Sequence, residues 1–203
     1  MKKRVLLVDL DGTLYKINTF HYFIKYILHY CIKGFNIIIL FKLCLVLVFR
    51  PFTTLAKTKY FILKLIKHRN DIDYQEFVKS ISNYKRDIPQ TYDNNFDIKI
   101  LATAAPSCYA NIISQKENFN FCLSTDFPNS NFNQEFENCK DIKKENVMNY
   151  LKSENINEID TLVTDHIDDL PLIKMAKKNI IVNPNQKLII ALKQNSISFE
   201  VIV

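Results

Sequence analysis

The stretch Val5-Leu6-Leu7-Val8-Asp9-Leu10-Asp11-Gly12-Thr13-Leu14 constrains the fold more than any other part of this chain. Four apolar residues run into two aspartates one residue apart, then a glycine and a threonine. An apolar run that stops in charge reads as a buried parallel strand ending at a site. In open α/β sheets, ligands bind just beyond the carboxyl ends of such strands. Gly12 supplies a permissive backbone where the chain leaves the strand. Two carboxylates this close repel unless a cation sits between them, and hard oxygen ligands favour Mg²⁺. A bare Asp-x-Asp would be no more than an acidic turn; the full string is far more specific.

Three later segments repeat the theme of a strand end or helix start that carries chemistry. Leu101-Ala102-Thr103-Ala104-Ala105-Pro106 sets a hydroxyl directly after a predicted strand. Asn138-Cys139-Lys140-Asp141-Ile142-Lys143-Lys144 offers three lysines before a helix. In Thr161-Leu162-Val163-Thr164-Asp165-His166-Ile167-Asp168-Asp169-Leu170-Pro171-Leu172, a second apolar strand runs into acids. In this order the four segments resemble the motifs of the haloacid dehalogenase-like phosphohydrolase superfamily, in its phosphoserine-phosphatase-like branch. The resemblance implies roles for particular residues. Asp9 is the nucleophile and a Mg²⁺ ligand, and Asp11 is the general acid–base that also gives the metal its backbone carbonyl. Thr103 and the backbone after Asp9, Gly12 included, bind phosphoryl oxygens. Asp165 is the carboxylate metal ligand, with Asp169 or Asp168 orienting the metal's waters. The family pattern Asn-Cys-x-Gly-x-x-Lys points to Lys144 as the phosphate-binding lysine, with Lys143 or Lys140 as alternatives. Many relatives carry an acid shortly after the first motif where this chain has Asn18-Thr19, which argues against an amino-bearing substrate such as phosphoserine.

Residues 12–70 contain no Asp or Glu but ten Lys and Arg, so a strongly basic block precedes a mildly acidic remainder within a net charge of +6. The same block holds two greasy pieces, residues 20–32 and 35–49, separated by Lys33-Gly34. A spanning helix needs about 20 apolar residues, and Lys42 in the second piece would cost about 3 kcal/mol in mid-bilayer. A helical hairpin dipping into one leaflet, with residues 20–50 in peripheral membrane contact, is the expectation. The alternative is that both pieces are core of a helical subdomain. A nucleic-acid partner is not expected, because the lysines stand isolated among apolar residues. Five scattered cysteines without a Cys-x-x-Cys fit reduced thiols in a cytoplasmic protein. The apolar run behind Lys2-Lys3-Arg4 is too short for a signal peptide.

The expected fold class is α/β, a Rossmann-like parallel sheet with helices on both faces plus an inserted all-helical cap. Residues 1–16 and 96–203 form the core and 17–95 the cap. Helices are expected near 55–67, 74–84, 107–115, 142–152, 169–177 and 188–193. The later strands are expected near 98–102, 119–124, 159–164, 180–182 and 197–203. The resulting expectation is a Mg²⁺-dependent phosphatase acting through an aspartyl-phosphate on Asp9. Its substrate would be a lipid or polyprenyl-linked phosphate at the inner face of the cytoplasmic membrane. This follows the similarity to apolar-capped phosphatidylglycerophosphate phosphatases and prenyltransferase-linked modules of the same superfamily. A soluble sugar phosphate, a receiver-type signalling module and a non-catalytic membrane-binding module are the competing readings.

Overall fold

The computed structural model describes residues 3–203. Its centre is a six-stranded sheet in which every paired neighbour is parallel, in the order β3-β2-β1-β4-β5-β6. The strands are β1 (Val5–Val8), β2 (Ile98–Pro106), β3 (Phe121–Thr125), β4 (Ile159–Thr164), β5 (Ala176–Val182) and β6 (Glu200–Ile202). β1 lies mid-sheet, and its alternation divides the core in two. Leu6 and Val8 face one apolar cluster, together with Leu101, Val163 and the cap. Val5 and Leu7 face the other, together with Val147, Leu151 and Leu188. All four β1 side chains are buried, which accounts for the uninterrupted apolar run.

Helices α6 (Ser107–Lys116), α7 (Lys140–Ser153) and α9 (Gln186–Gln194) connect strands of the core; α9 starts at Asn185, whose side chain accepts from Leu188 N–H. The expected helix over 169–177 is only a 3₁₀ turn (Ile167–Asp169) and the short α8 (Leu170–Ile173). Pro171 fits the first turn of such a helix, but β5 takes the chain back into the sheet at Ala176, so strand pairing with Ile159 overrides helix continuation. Strand order reverses direction of growth between β1 and β4, which places the crevice expected of an open α/β sheet at their carboxyl ends.

Between β1 and β2 lies the helical insertion. It comprises α1 (Thr19–Lys33), α2 (Ile37–Val48), α3 (Leu55–Ile66), α4 (Tyr74–Ser80) and the one-turn α5 (Pro89–Tyr92). Asn18, Thr54 and Asp73 cap α1, α3 and α4, each accepting a backbone N–H with its side chain. The outgoing and returning chains are stitched together: Lys16 N donates to Tyr84 O at 2.9 Å, and Arg86 N to Leu14 O at 2.8 Å. Phe20, Phe23, Ile27 and Cys31 of α1 are buried, so the first greasy piece is cap core. Phe23 meets Phe77 and Tyr109 rings at 5.1 and 5.0 Å, tying α1 to α4 and to α6 of the core. The second piece differs: Leu43 is the only buried residue of α2.

Candidate active site

Asp9 follows β1 directly, and its N–H still donates to Val163 O at 3.0 Å, which fixes it beside the end of β4. Beyond it the chain coils tightly, with Leu14 N donating to Asp9 O and Tyr15 N to Leu10 O at 3.3 and 2.8 Å. Gly12 sits at φ +78° inside this coil. A Cβ there would lie 2.1 Å from Asp165 Oδ2. Glycine is therefore required twice, by conformation and by the close approach of the β4-end carboxylate.

Two threonines and one lysine organise the carboxylates. Thr13 Oγ1 donates to Asp165 Oδ1 at 3.0 Å. Thr164 Oγ1 donates to Asp169 Oδ2 at 2.6 Å. Lys143 Nζ bridges Asp169 Oδ1 and Asp9 Oδ1, at 2.7 Å to each, and is buried. The structure thus brings Lys143 to the site and leaves Lys144 outside it, contrary to the motif-based expectation. The reason is helical phase: Lys143, Val147 and Leu151 lie on one buried stripe of α7, and Lys144 is turned about 100° away. That stripe was legible as i, i+4, i+8 periodicity; family spacing pointed one residue too far. Lys140, at φ +51°, begins the helix and faces Asp168 at 3.9 Å at the rim.

Asp169 and Asp168 separate clearly. Asp169 is buried against Lys143, whereas Asp168 lies at the mouth beside His166 and Lys140 and makes no bond to Asp9 or Lys143. Thr103 is buried at the end of the regular part of β2, and its Oγ1 accepts from Ala105 N at 3.0 Å where the register with β3 shifts. Asp11 Oδ1 accepts from Thr19 N at 2.7 Å, and the Thr19 hydroxyl shares a hydrogen bond with Tyr109 OH at 3.1 Å. The first turn of α1 therefore aims the Asp11 carboxyl, a role the sequence did not suggest for Thr19.

The electrostatics follow from crowding. Burial pushes Asp9 up to about 8, with the Asp169 and Asp165 charges adding to the rise and Lys143 opposing it. Burial also raises Asp165, against the Thr13 hydrogen bond, and raises Asp11, against its bonds from Thr19. Burial opposes the charge on Lys143, but Asp169 and Asp9 outweigh it and hold the ammonium firmly protonated. The Lys143 ammonium bonds two carboxylates, Asp9 and Asp169, and Asp165 adds its charge beside Asp9, so the surplus negative charge must be met by protons or by a second cation. Among the described residues no group of three or more His, Cys, Asp and Glu side chains is arranged to hold a metal alone. A cation here would use the Asp9 and Asp165 carboxylates together with the Asp11 carbonyl. That all-oxygen set fits Mg²⁺, which is bound through few carboxylates and keeps several waters.

These groups line a cavity of about 380 Å³ between core and cap. Asp9, Asp11, Thr103, Lys143 and Asp165 form its floor; Lys16, Asn18, Phe20, Leu55 and Lys59 come from the cap side. Lys59 was not singled out in the sequence. It is buried on the α3 stripe that includes Ile62, Leu63 and Ile66, where a lone lysine among apolar positions was the available signal. Its Nζ donates to Ala104 O at 2.6 Å, pairs with buried Glu137, and sits 5.1 Å over the Phe20 ring. The neighbouring Asn138 Nδ2 donates to Thr103 O and Leu123 O, both at 2.9 Å, locking the loop before α7 onto the sheet.

No family model and no curated protein matches the chain. Solved structures do. A Bordetella pertussis protein of unknown function aligns over 100% of this chain and 99% of its own, at 16% identity and TM-score 0.74. A substrate-bound phosphoserine phosphatase aligns over 99% and 93%, at 13% identity and TM-score 0.61. A phosphoserine phosphohydrolase-like protein from Francisella tularensis aligns over 100% and 95%, at 14% identity and TM-score 0.56. With the sheet order, the helical insertion after β1 and the strand-end carboxylates, these likenesses assign the chain the haloacid dehalogenase-like fold in its phosphoserine-phosphatase-like form.

Proposed function

We propose that the chain is a Mg²⁺-dependent phosphatase that hydrolyses a phosphate monoester through an aspartyl-phosphate on Asp9. The observation that carries this reading is Lys143, buried and bonded at once to Asp9 and Asp169 at the floor of the cavity between core and cap. Lys143 occupies Oδ1 of Asp9, which leaves Oδ2 to attack phosphorus in line with the leaving oxygen. A new bond from Asp9 Oδ2 to phosphorus forms, giving an acyl phosphate (a mixed anhydride), as the bond to the leaving oxygen breaks. Asp11, its carboxyl raised by burial, donates a proton to the departing alkoxide and then takes one from the water that cleaves the intermediate. Thr103, Lys143 and backbone N–H groups near Gly12 stabilise the equatorial oxygens where charge collects. A bound Mg²⁺ would supply charge neutralisation between the anionic nucleophile and the anionic ester. Phosphoserine phosphatase, to which the fold is similar, has been captured as a phospho-aspartyl intermediate analogue, which supports the assignment of Asp9.

The substrate class we propose is a lipid or polyprenyl-linked phosphate at the inner face of the cytoplasmic membrane. The cavity, about 380 Å³, is of a size for a phosphorylated headgroup, and a long apolar chain attached to it could remain in the bilayer. A second reading, a soluble sugar phosphate, draws on the polar lining that Lys16, Asn18 and Lys59 give the mouth. Phosphate release with Mg²⁺ from lipid phosphates in mixed micelles and from soluble sugar phosphates, beside Asp9→Asn as blank, separates the two. Micellar preference supports the lipid reading, sugar preference replaces it, and no release above the Asp9→Asn blank from either set overturns the phosphatase assignment.

A further inference from the structure

The outward face of α2 is apolar and covered by nothing. Ile38, Phe41, Leu45 and Val48 recur at helical spacing on its solvent side, with Ile38 72% and Phe41 63% exposed. Phe35 before the helix and Phe52 after it are 85% and 84% exposed, so the face extends past both ends. The charges carried by this stretch are all basic: Lys33, Lys42 and Arg50 are exposed, no acid occurs between residues 12 and 70, and Asp71, which the fold brings to the base of the hairpin, is paired with Arg69. The hairpin is pre-organised. Asn36 N donates to Cys31 O at 2.8 Å, and the Arg69 guanidinium clasps Tyr30 OH at 2.8 Å and Asn36 Oδ1 at 3.3 Å.

We propose that residues 32–55 dock the cap onto an anionic lipid bilayer, with α2 lying in the plane of the headgroups. Charge complementarity selects this occupant: two copies packing through the same face would bring their Lys33, Lys42 and Arg50 rims together with no acid to offset them. At 12 residues α2 is about 18 Å long, too short for a hydrocarbon core of about 30 Å, so it lies on the membrane rather than through it. Among the described residues no helix is long and apolar enough to cross. Leu55, three residues after Phe52, is both exposed and part of the cavity lining, so docking brings the mouth of the cavity to the headgroup layer. The proposal shifts the expected contact from residues 20–50 to 32–55, since the buried face of α1 is committed to cap packing. It rests on the lipid-phosphate reading only for the purpose that docking serves.

The test is flotation of the full chain with vesicles of phosphatidylcholine alone or mixed with phosphatidylglycerol, beside light scattering and Mg²⁺-dependent hydrolysis of soluble para-nitrophenyl phosphate. The wild type should float with the anionic vesicles only. Ile38→Ser/Phe41→Ser should weaken that binding about tenfold or more while leaving soluble hydrolysis and melting temperature unchanged. Lys33→Gln/Lys42→Gln/Arg50→Gln should erase the preference for anionic lipid. Intact hydrolysis without vesicle binding overturns docking and leaves the phosphatase reading standing. Vesicle binding without any hydrolysis supports docking and removes that reading. A wild-type dimer that Phe41→Ser converts to monomer overturns docking in favour of a second copy.

Discussion

At the residue scale the site depends on a few positions that geometry leaves no freedom to change. Lys143→Met removes the one ammonium that joins Asp9 to Asp169. It should lower kcat by about a hundredfold or more, because a charge-stabilising contact in a dry site is lost. Lys144→Met should stay within about twofold of wild type, since its neighbour carries the role. Steady-state kinetics on one substrate decides between them; loss in the Lys144 variant alone would return the role to Lys144. Gly12→Ala should fail more severely, because a Cβ there would both occupy the left-handed region and collide with Asp165. A soluble, correctly melting and active Gly12→Ala protein would contradict the tight coil. Asp9, Asp11, Gly12, Thr103 and Asp165 were legible because each ends an apolar strand or opens a turn, where a charged or special residue stands out; Asp169 separates from Asp168 only in the structure, by its burial against Lys143. Lys143 was less so: three lysines within five residues look alike until the phase of α7 is fixed by Val147 and Leu151. Thr13, Thr19 and Thr164 gave no signal, since a threonine that orients a carboxylate reads like any other.

At the element scale the cap and the core are joined across the cavity by one buried ion pair, Lys59 of α3 with Glu137 before α7. Breaking such a pair leaves a charge stranded in a dry place. Lys59→Met should cost about 3–5 kcal/mol in urea unfolding, and Lys59→Met/Glu137→Leu should recover most of that loss. Equal destabilisation by single and double variants would mean that the pair contributes through packing and not charge. Strands and most helices were readable from their apolar period, and the structure adds side-chain caps at Asn18, Thr54, Asp73 and Asn185. The 169–177 segment was not, because from Ala176 its helical pattern competes with parallel pairing to β4, a long-range choice that local propensity does not register. The two greasy pieces looked alike in sequence and ended differently. α1 packs Phe23 against Phe77 of α4 and Tyr109 of α6 and buries Phe20 and Ile27 in the same core, so its apolar face is already covered when α2 is reached. What remains for α2 is contact with α1 and α3 on one side and water on the other.

At the scale of the whole molecule, the crowded carboxylates couple folding to protonation and, at the proposed Mg²⁺ site, would couple both to cation binding. Asp9 ionises near 3.8 when the chain is unfolded and at about 8 in the folded, metal-free chain. The folded state therefore holds this proton more tightly than the unfolded state does. Stability from this group is full below pH of about 4 and is lost as pH rises toward 8, at no more than about 1.4 kcal/mol per pH unit. The raised carboxyls of Asp165 and Asp11 push in the same direction. A divalent cation ligated by Asp9 must displace that proton, so Mg²⁺ should bind more tightly at pH 8 than at pH 6 and should release a proton on binding. Melting curves at the two pH values, with EDTA and with Mg²⁺, test the coupling directly. The metal-free protein should melt at a lower temperature at pH 8, and the Mg²⁺-induced rise should be larger there than at pH 6. Asp9→Asn should flatten the pH dependence and shrink the rise, because it keeps the hydrogen-bonding shape and removes the titrating charge. A Mg²⁺-induced rise that is the same at both pH values, or that survives intact in Asp9→Asn, would mean that the cation binds away from the strand-end carboxylates.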